Sequence, residues 1–185
     1  MSKLYRGDCL KVLKKFPDNS VDTCITSPPY FGLRDYSGDH QIGLEKTPEE
    51  YTEKLVNVFR EVRRILKDTG TLWLNLGDSY NNVMVSKGIK KKDLIGIPWR
   101  IAFALQKDGW YLRQDIIWHK PNPMPESIKD RCTKSHEYIF LLSKKKKYYF
   151  DSEIIKENSV YTGKQKSQRN FSGKTFNTVL LLPFR

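Results

Sequence analysis

Cysteine is scarce in this chain. Cys9, Cys24 and Cys132 are odd in number and form no Cys-x-x-Cys pair, which excludes a disulfide framework and fits a reducing compartment. His119 and His136 are too few and too far apart to suggest a metal site. No apolar stretch approaches the roughly 20 residues that span a bilayer. The N-terminus, Met1 to Arg6, lacks the apolar core of a signal peptide, so a cytoplasmic protein without a membrane anchor is expected. Acidic residues are outnumbered, 21 against 33 Lys and Arg, for a net charge of +12. Such an excess fits a polyanionic partner, with a merely soluble basic surface as the alternative, and it says nothing about fold. A phosphate-binding loop is absent as well. Ser172-Gly173-Lys174-Thr175 comes nearest, but Gln168 stands where the first glycine is needed.

With 185 residues the chain can hold one domain with a sizeable core. Leu4 to Asp8 reads as a short strand, and Leu10, Leu13 and Phe16 as a helical stretch after it. Val21 to Thr26 is β-branched and strand-like. The loop from Phe31 to Lys46 is rich in Gly and Asp and long enough to be a lid. Thr47-Pro48-Glu49-Glu50 announces a helix with a capping box. Its apolar stripe is Leu55, Val58, Phe59, Val62, Ile65 and Leu66, and Gly70 is its expected stop.

Thr71 to Leu76 is the next strand, and Asn81 to Asp93 a mobile basic loop. Ile97 to Lys107 is a helix, and Tyr111 to Trp118 and Tyr138 to Leu142 are two further strands. Alternating strands and helices predict an α/β domain with a largely parallel sheet. Trp73 and Phe103 are expected in its core, and Lys144 to Lys147 in a solvated turn. Residues 1–155 form this domain. From 156 to 185 the chain turns polar and basic; ten Lys and Arg against three acids over 144–185 give +7. That tail is a nucleic-acid-contacting arm, a disordered end or the start of a further region.

The most informative segment is Ser27-Pro28-Pro29-Tyr30. Two prolines cannot continue the strand before them, because each lacks an N–H and fixes φ. The strand therefore ends in a stiff loop holding the Ser27 hydroxyl and two carbonyls beside the aromatic plate of Tyr30. Fixed acceptors beside a flat ring suit a planar base carrying an exocyclic amine.

Further segments complete a pattern: Gly7-Asp8-Cys9, Asn75-Leu76-Gly77-Asp78, Ile116 through Ser127, Asp130-Arg131, Ser135-His136-Glu137-Tyr138 and Tyr148-Tyr149-Phe150-Asp151. In this order the chain resembles the amino-methylating DNA methyltransferases, N4-cytosine and N6-adenine enzymes that use S-adenosylmethionine, over roughly residues 4–151. The motif order resembles the permuted class in which the catalytic motif comes first. The resemblance implies a Rossmann-like methyltransferase sheet, mostly parallel with a C-terminal antiparallel hairpin, and site-specific methylation of a base flipped out of DNA in a restriction-modification setting. Ser before Pro-Pro-Tyr favours cytosine N4, with adenine N6 as the alternative.

The resemblance assigns the catalytic role to Ser27, Pro28, Pro29 and Tyr30, with Ser27 and the Pro28 carbonyl on the amine and Tyr30 stacked on the base. Asp8, Cys9, Thr26 and Ser27 would hold the cofactor, although Asp8 and Asp78 could equally be helix caps. Trp118, Lys120, Asn122 and Arg131 would face DNA; Trp118 could instead be core, and Arg131 could pair with Glu126 or Glu137. The class should also carry an Asp-Pro-Phe-x-Gly-x-Gly segment on a later strand, and none is present. An incomplete sheet is therefore expected. Two further readings follow: a split enzyme whose second polypeptide supplies that segment, and a non-catalytic fragment.

Overall fold

The computed structural model describes residues 3–37, 41–82 and 88–156. Helix α1 spans Cys9–Leu13 and is started by Asp8, whose Oδ1 accepts from the Lys11 N–H at 2.9 Å. It stops short of Phe16. The strand expected at Leu4 to Asp8 does not form, and Leu4 is 98% exposed. A strand persists only where a neighbour completes its ladder, and no described strand lies beside this one. Tyr5 instead sets its ring edge-on to Phe16.

Strand β1 (Val21–Thr26) leads to the site loop, and helix α2 (Pro48–Ile65) follows. Thr47 caps α2 by accepting from the Glu50 N–H at 3.1 Å, while Glu50 reaches back to the Lys46 N–H, one residue earlier than a simple capping box. Its expected stripe is buried, joined by Tyr51 and Val56. Arg64 on α2 holds the end of α1 and the turn after it through the Leu13 and Phe16 carbonyls.

Gly70 does not end α2. The helix stops at Ile65, and Leu66 already has extended geometry at the start of β2 (Leu66–Leu76). Val21 pairs with Leu66, but Thr23 pairs with Thr71, so residues 67–70 bulge out of the ladder. Helix α3 (Ile97–Lys107) precedes β3 (Tyr111–His119) and β4 (His136–Ser143). The sheet order is β1-β2-β4-β3. The β1–β2 pairing is parallel and both pairings of β4 are antiparallel, so β1, β2 and β3 run one way and β4 alone runs against them.

Leu72, Leu74 and Leu76 of β2, with Phe140 and Leu142 of β4, face α2 and α3 to make the core with Phe59, Ile101 and Leu105. Each such side chain contributes about 1.5–3 kcal/mol by leaving water. Phe103, expected inside, is 56% exposed on the outer side of α3. Trp73 is half-buried and is not among the core cluster. Leu72, Leu74 and Leu76 alternate with it along β2, which is the two-residue side-chain period of a strand. Lys144 is not solvated; its ammonium folds back on the Leu66 carbonyl and Asn19, while Lys145 to Lys147 are exposed.

The loop after β2 is anchored at its base. Tyr80 bridges Leu94, and buried Asn81 exchanges backbone bonds with Lys92 and Asp93. Residues up to Tyr149 form one compact unit, and Phe150 begins a second. In the second, Asp151 accepts from the Glu153 N–H. The tail beyond Lys156, with Ser172 to Thr175, lies outside the described residues. Among the described residues no helix is long and apolar enough to cross a membrane.

Asp78 decides how α3 is placed. The helix begins at Gly96 with no side-chain cap of its own. Asp78 Oδ1 supplies the cap from the end of β2, accepting from the N–H groups of Ser79, Gly96 and Ile97, each at 3.0 Å. A negative charge here also faces the positive end of the helix dipole. Asp78→Ala should destabilise the fold by about 1–3 kcal/mol in urea unfolding, the cost of orphaning those donors.

Candidate active site

The reversal of β4 carries the chemistry. In a parallel pair both strands end at the same edge of the sheet, so β1 and β2 deliver Ser27 and Asn75 together. Because β4 runs backwards, its first residues, His136 and Glu137, arrive at that edge. Lys120 follows the last residue of β3 and joins them.

Three side chains converge on the Tyr30 hydroxyl. Ser27 Oγ lies 3.2 Å away, while Asn75 Oδ1 and Glu137 Oε2 each lie at 2.8 Å. Asn75 Nδ2 donates to Glu137 Oε2 at 3.1 Å, and Lys120 Nζ pairs with Glu137 Oε1. Burial, with the nearby Glu137 carboxylate adding to it, pushes the Tyr30 phenol above its ordinary pKa, whereas Ser27 acts the other way. Tyr30 therefore stays protonated.

The loop is clamped from below. Tyr51 of α2, fully buried, donates to the Pro29 carbonyl at 2.7 Å and tilts its ring against Phe31. Gly43, at φ +107°, lies close enough to the Tyr30 carbonyl that a Cβ would meet it at 2.9 Å. Gly77 underlies the Tyr30 ring, and a Cβ there would come within 2.5 Å of it. The Pro28 carbonyl takes no hydrogen bond from any described residue, and Ser27 is exposed.

The residues singled out from the sequence separate in space. Ser27, Tyr30 and Lys120 come together, with Trp118 half-buried on β3 opposite Glu137. Lys120 faces inward to Glu137. Asp8 caps α1, and among the described residues no hydrogen bond or ion pair links Asp8 or Cys9 to the loop at 26–30. Asn122 is exposed in the loop joining β3 to β4. Arg131 pairs with Glu126 and lies over the Tyr80 ring at 3.8 Å. It lines a cavity of about 960 Å³ that begins at Phe31, the residue after Tyr30, and includes Tyr80, Lys92 and Lys129.

Lys134 is half-buried, donates to the Asp78 carbonyl, and has its pKa lowered mainly by desolvation. His119 and His136, distant in sequence, are paired across the β3–β4 hairpin. Among the described residues no group of three potential ligands could hold a metal. Asn75, Gly77 and Tyr51 received no role from the sequence, and Glu137 only that of a possible partner for Arg131, which pairs with Glu126 instead. Asn75, Glu137 and Gly77 stood inside recognisable segments, but only the reversed β4 shows what they meet.

A Rossmann-like α/β sheet with a Pro-Pro-aromatic loop at the end of a parallel strand is a methyltransferase arrangement. The chain belongs to the DNA methylase family, which it matches over residues 21–184. It is similar to the type II methyltransferase M.SmaI of Serratia marcescens, 53% identical over 175 residues covering 84% of this chain and 60% of that protein. It is similar also to type II methyltransferase M.Cfr9I of Citrobacter freundii, 51% identical over 174 residues, 83% of this chain and 58% of that one. The chain thus spans about three-fifths of the length of these curated relatives.

Among solved structures, the PvuII DNA methyltransferase (cytosine-N4-specific) superposes with a TM-score of 0.63 at 22% identity, over 80% of this chain and 51% of that one, a likeness of fold. TTHA0409 of Thermus thermophilus, described as a DNA modification methylase and complexed with S-adenosyl-L-methionine, superposes at 0.58 with 27% identity, over 80% and 56%.

Gly77→Ala tests the packing of Tyr30. The added methyl should push the ring off its three hydrogen bonds and cost about 1–3 kcal/mol in chemical unfolding. A wild-type stability would show that the ring does not rest on Gly77.

Proposed function

We propose that this chain carries the base-binding part of a site-specific DNA methyltransferase acting on the exocyclic amine of a flipped base, cytosine N4, in the cytoplasm. Adenine N6 is the alternative target. The observation that carries this reading is the loop itself: Tyr51 occupies the Pro29 carbonyl, the Pro28 carbonyl takes no hydrogen bond from any described residue, and Ser27 beside it is exposed. The type II methyltransferase relatives support it, as does the cytosine-N4-specific name of a protein with the same fold.

The amine of cytosine or adenine is a weak nucleophile because its lone pair is delocalised into the ring. Ser27 Oγ and the Pro28 carbonyl would accept its two N–H groups, so that the lone pair localises on nitrogen. Tyr30 would stack on the base, and Pro28-Pro29 would hold the acceptors fixed. This is positioning plus electrostatic preorganisation. Flipping the base costs a few kcal/mol that contacts in the pocket must recover. Trp118, Lys120, Asn122 and Arg131 would border the DNA, with the basic lining of the cavity beside Phe31 attracting phosphate.

S-adenosyl-L-methionine, when bound, supplies the activated methyl group; a neighbour of this fold holds it. The residues present fit part of it. Asp8 caps α1 with Oδ1 alone, leaving Oδ2 to accept from a hydroxyl or amine. Asp8, Cys9, Thr26 and Ser27 would contribute to its site. The rest would come from a Gly-rich segment that these 185 residues do not contain, on the same or a second polypeptide.

DNA treated with the complete protein or complex, one that includes the Gly-rich segment, and digested to nucleosides separated by mass spectrometry, should yield N4-methylcytosine; N6-methyladenine would move the reading to its alternative, and no methylated nucleoside would overturn it. Tyr30→Ala and Pro28→Ala should each abolish product, and full activity in either would remove the loop from the reaction. Calorimetry with the 185-residue chain should detect little binding of S-adenosyl-L-methionine, and tight binding would show the pocket to be complete.

A further inference from the structure

Glu137 makes no hydrogen bond to Ser27 or to the Pro28 carbonyl, yet its carboxylate orders the hydrogen bonds around the Tyr30 hydroxyl. A carboxylate only accepts. Its Oε2 receives Asn75 Nδ2, which turns Asn75 Oδ1 toward the phenol, and Oε2 also faces the phenol directly. Lys120 holds the other carboxylate oxygen. Both atoms at 2.8 Å from the Tyr30 hydroxyl are therefore acceptors, and the single phenolic proton is committed to them. The phenol oxygen is left only able to accept, and the hydroxyl at 3.2 Å that can donate to it belongs to Ser27. Once Ser27 has spent its one proton inward, only lone pairs remain on its outer side.

We propose that Glu137 is a positioning residue that sets this polarity, so that Ser27 meets a base as an acceptor, admitting an amine and rejecting a ring carbonyl at the same place. The inference rests on the amine-methylation reading and adds to it the origin of amine-over-carbonyl selectivity. The selectivity is indirect, carried from Glu137 through Tyr30 to Ser27. A site built to pair one hydrogen-bonding group discriminates strongly against a substrate presenting the opposite one, because the buried groups are then left unmatched.

Glu137→Gln is the test, because it keeps shape and adds a donor. The glutamine amide can donate to the phenol, which frees the Tyr30 proton for Ser27 and lets Ser27 turn its own proton outward. The complete active protein, as defined by the nucleoside assay, is titrated with duplexes of its methylated sequence. These carry cytosine or uracil at the target position, each opposite an abasic site so that no pairing energy differs. Wild type should bind the cytosine duplex about 10–100-fold more tightly, the ratio that leaving one buried polar group unmatched produces. In Glu137→Gln the ratio should collapse to about twofold while kcat falls by about 100-fold, as when a preorganised polar contact is removed. Tyr30→Phe should collapse the ratio equally, and the double variant no further, since both act on one chain of bonds.

A Glu137→Gln protein that keeps the wild-type ratio, or effects of the two variants that add, would overturn the proposal. So would a wild type that does not distinguish the two duplexes. A second arm uses the 185-residue chain alone. Tyrosine labelled with 13C at Cζ should show Tyr30, identified by its loss in Tyr30→Phe, ionising at lower pH in Glu137→Gln than in wild type. An unchanged titration means that Glu137 does not hold the phenol, and overturns the proposal even if no methylation is found. A failure of the methylation reading is recognised separately, by the absence of methylated nucleoside from wild type.

Discussion

The Tyr30 hydroxyl is held between Asn75 Oδ1 and Glu137 Oε2, and the site is organised around that contact. A phenol has one proton and the groups around it come from the ends of β1, β2 and β4, so the contact ties three strands into one constellation. It also joins two demands that usually conflict. Buried polar atoms must be paired, or their desolvation goes uncompensated. A site proposed to receive a base also needs acceptors left free. Here Asn75, Glu137 and Lys120 pair inward, while Ser27 stays exposed and the Pro28 carbonyl takes no hydrogen bond from any described residue.

The scaffold underneath holds the loop in place. Pro28 and Pro29 remove two backbone rotations, and Tyr51 fixes the carbonyl that follows from a fully buried position on α2. Gly77 lets the Tyr30 ring lie directly on the β2 backbone. On the far side of the same strand end, Asp78 uses its carboxylate to seat α3. Two adjacent residues, Gly77 and Asp78, thus serve opposite purposes, close approach in one case and helix capping in the other.

Much of this was legible in order along the chain. The α2 start at Thr47-Pro48, the bounds of α3, the strand at Val21–Thr26 and the hairpin strands follow from capping residues, breakers and period, all of which are local. The errors share a cause. Leu4 to Asp8 has strand composition but no described partner, Phe103 has core composition but points away from the sheet, and Gly70 has a helix-stop identity but lies in a bulge of β2. Each depended on a neighbour from elsewhere in the chain. Arg131 and Asp8 were open between two roles from sequence; in the fold Arg131 engages Glu126 and Tyr80, and Asp8 caps α1.

The amino-acid sequence by itself determined that the chain is an α/β domain, that a strand ends at Ser27-Pro28-Pro29-Tyr30, and which family it resembles. Those properties are written in contiguous residues, where prolines, caps and side-chain periods act within a few positions. The tertiary structure alone decided that Glu137 and Asn75 meet Tyr30, 107 and 45 residues away in sequence. That meeting follows from the direction of β4. A strand running against its neighbours brings its first residues, not its last, to the edge where β1 and β2 end, and no local pattern records which way a strand will enter the sheet.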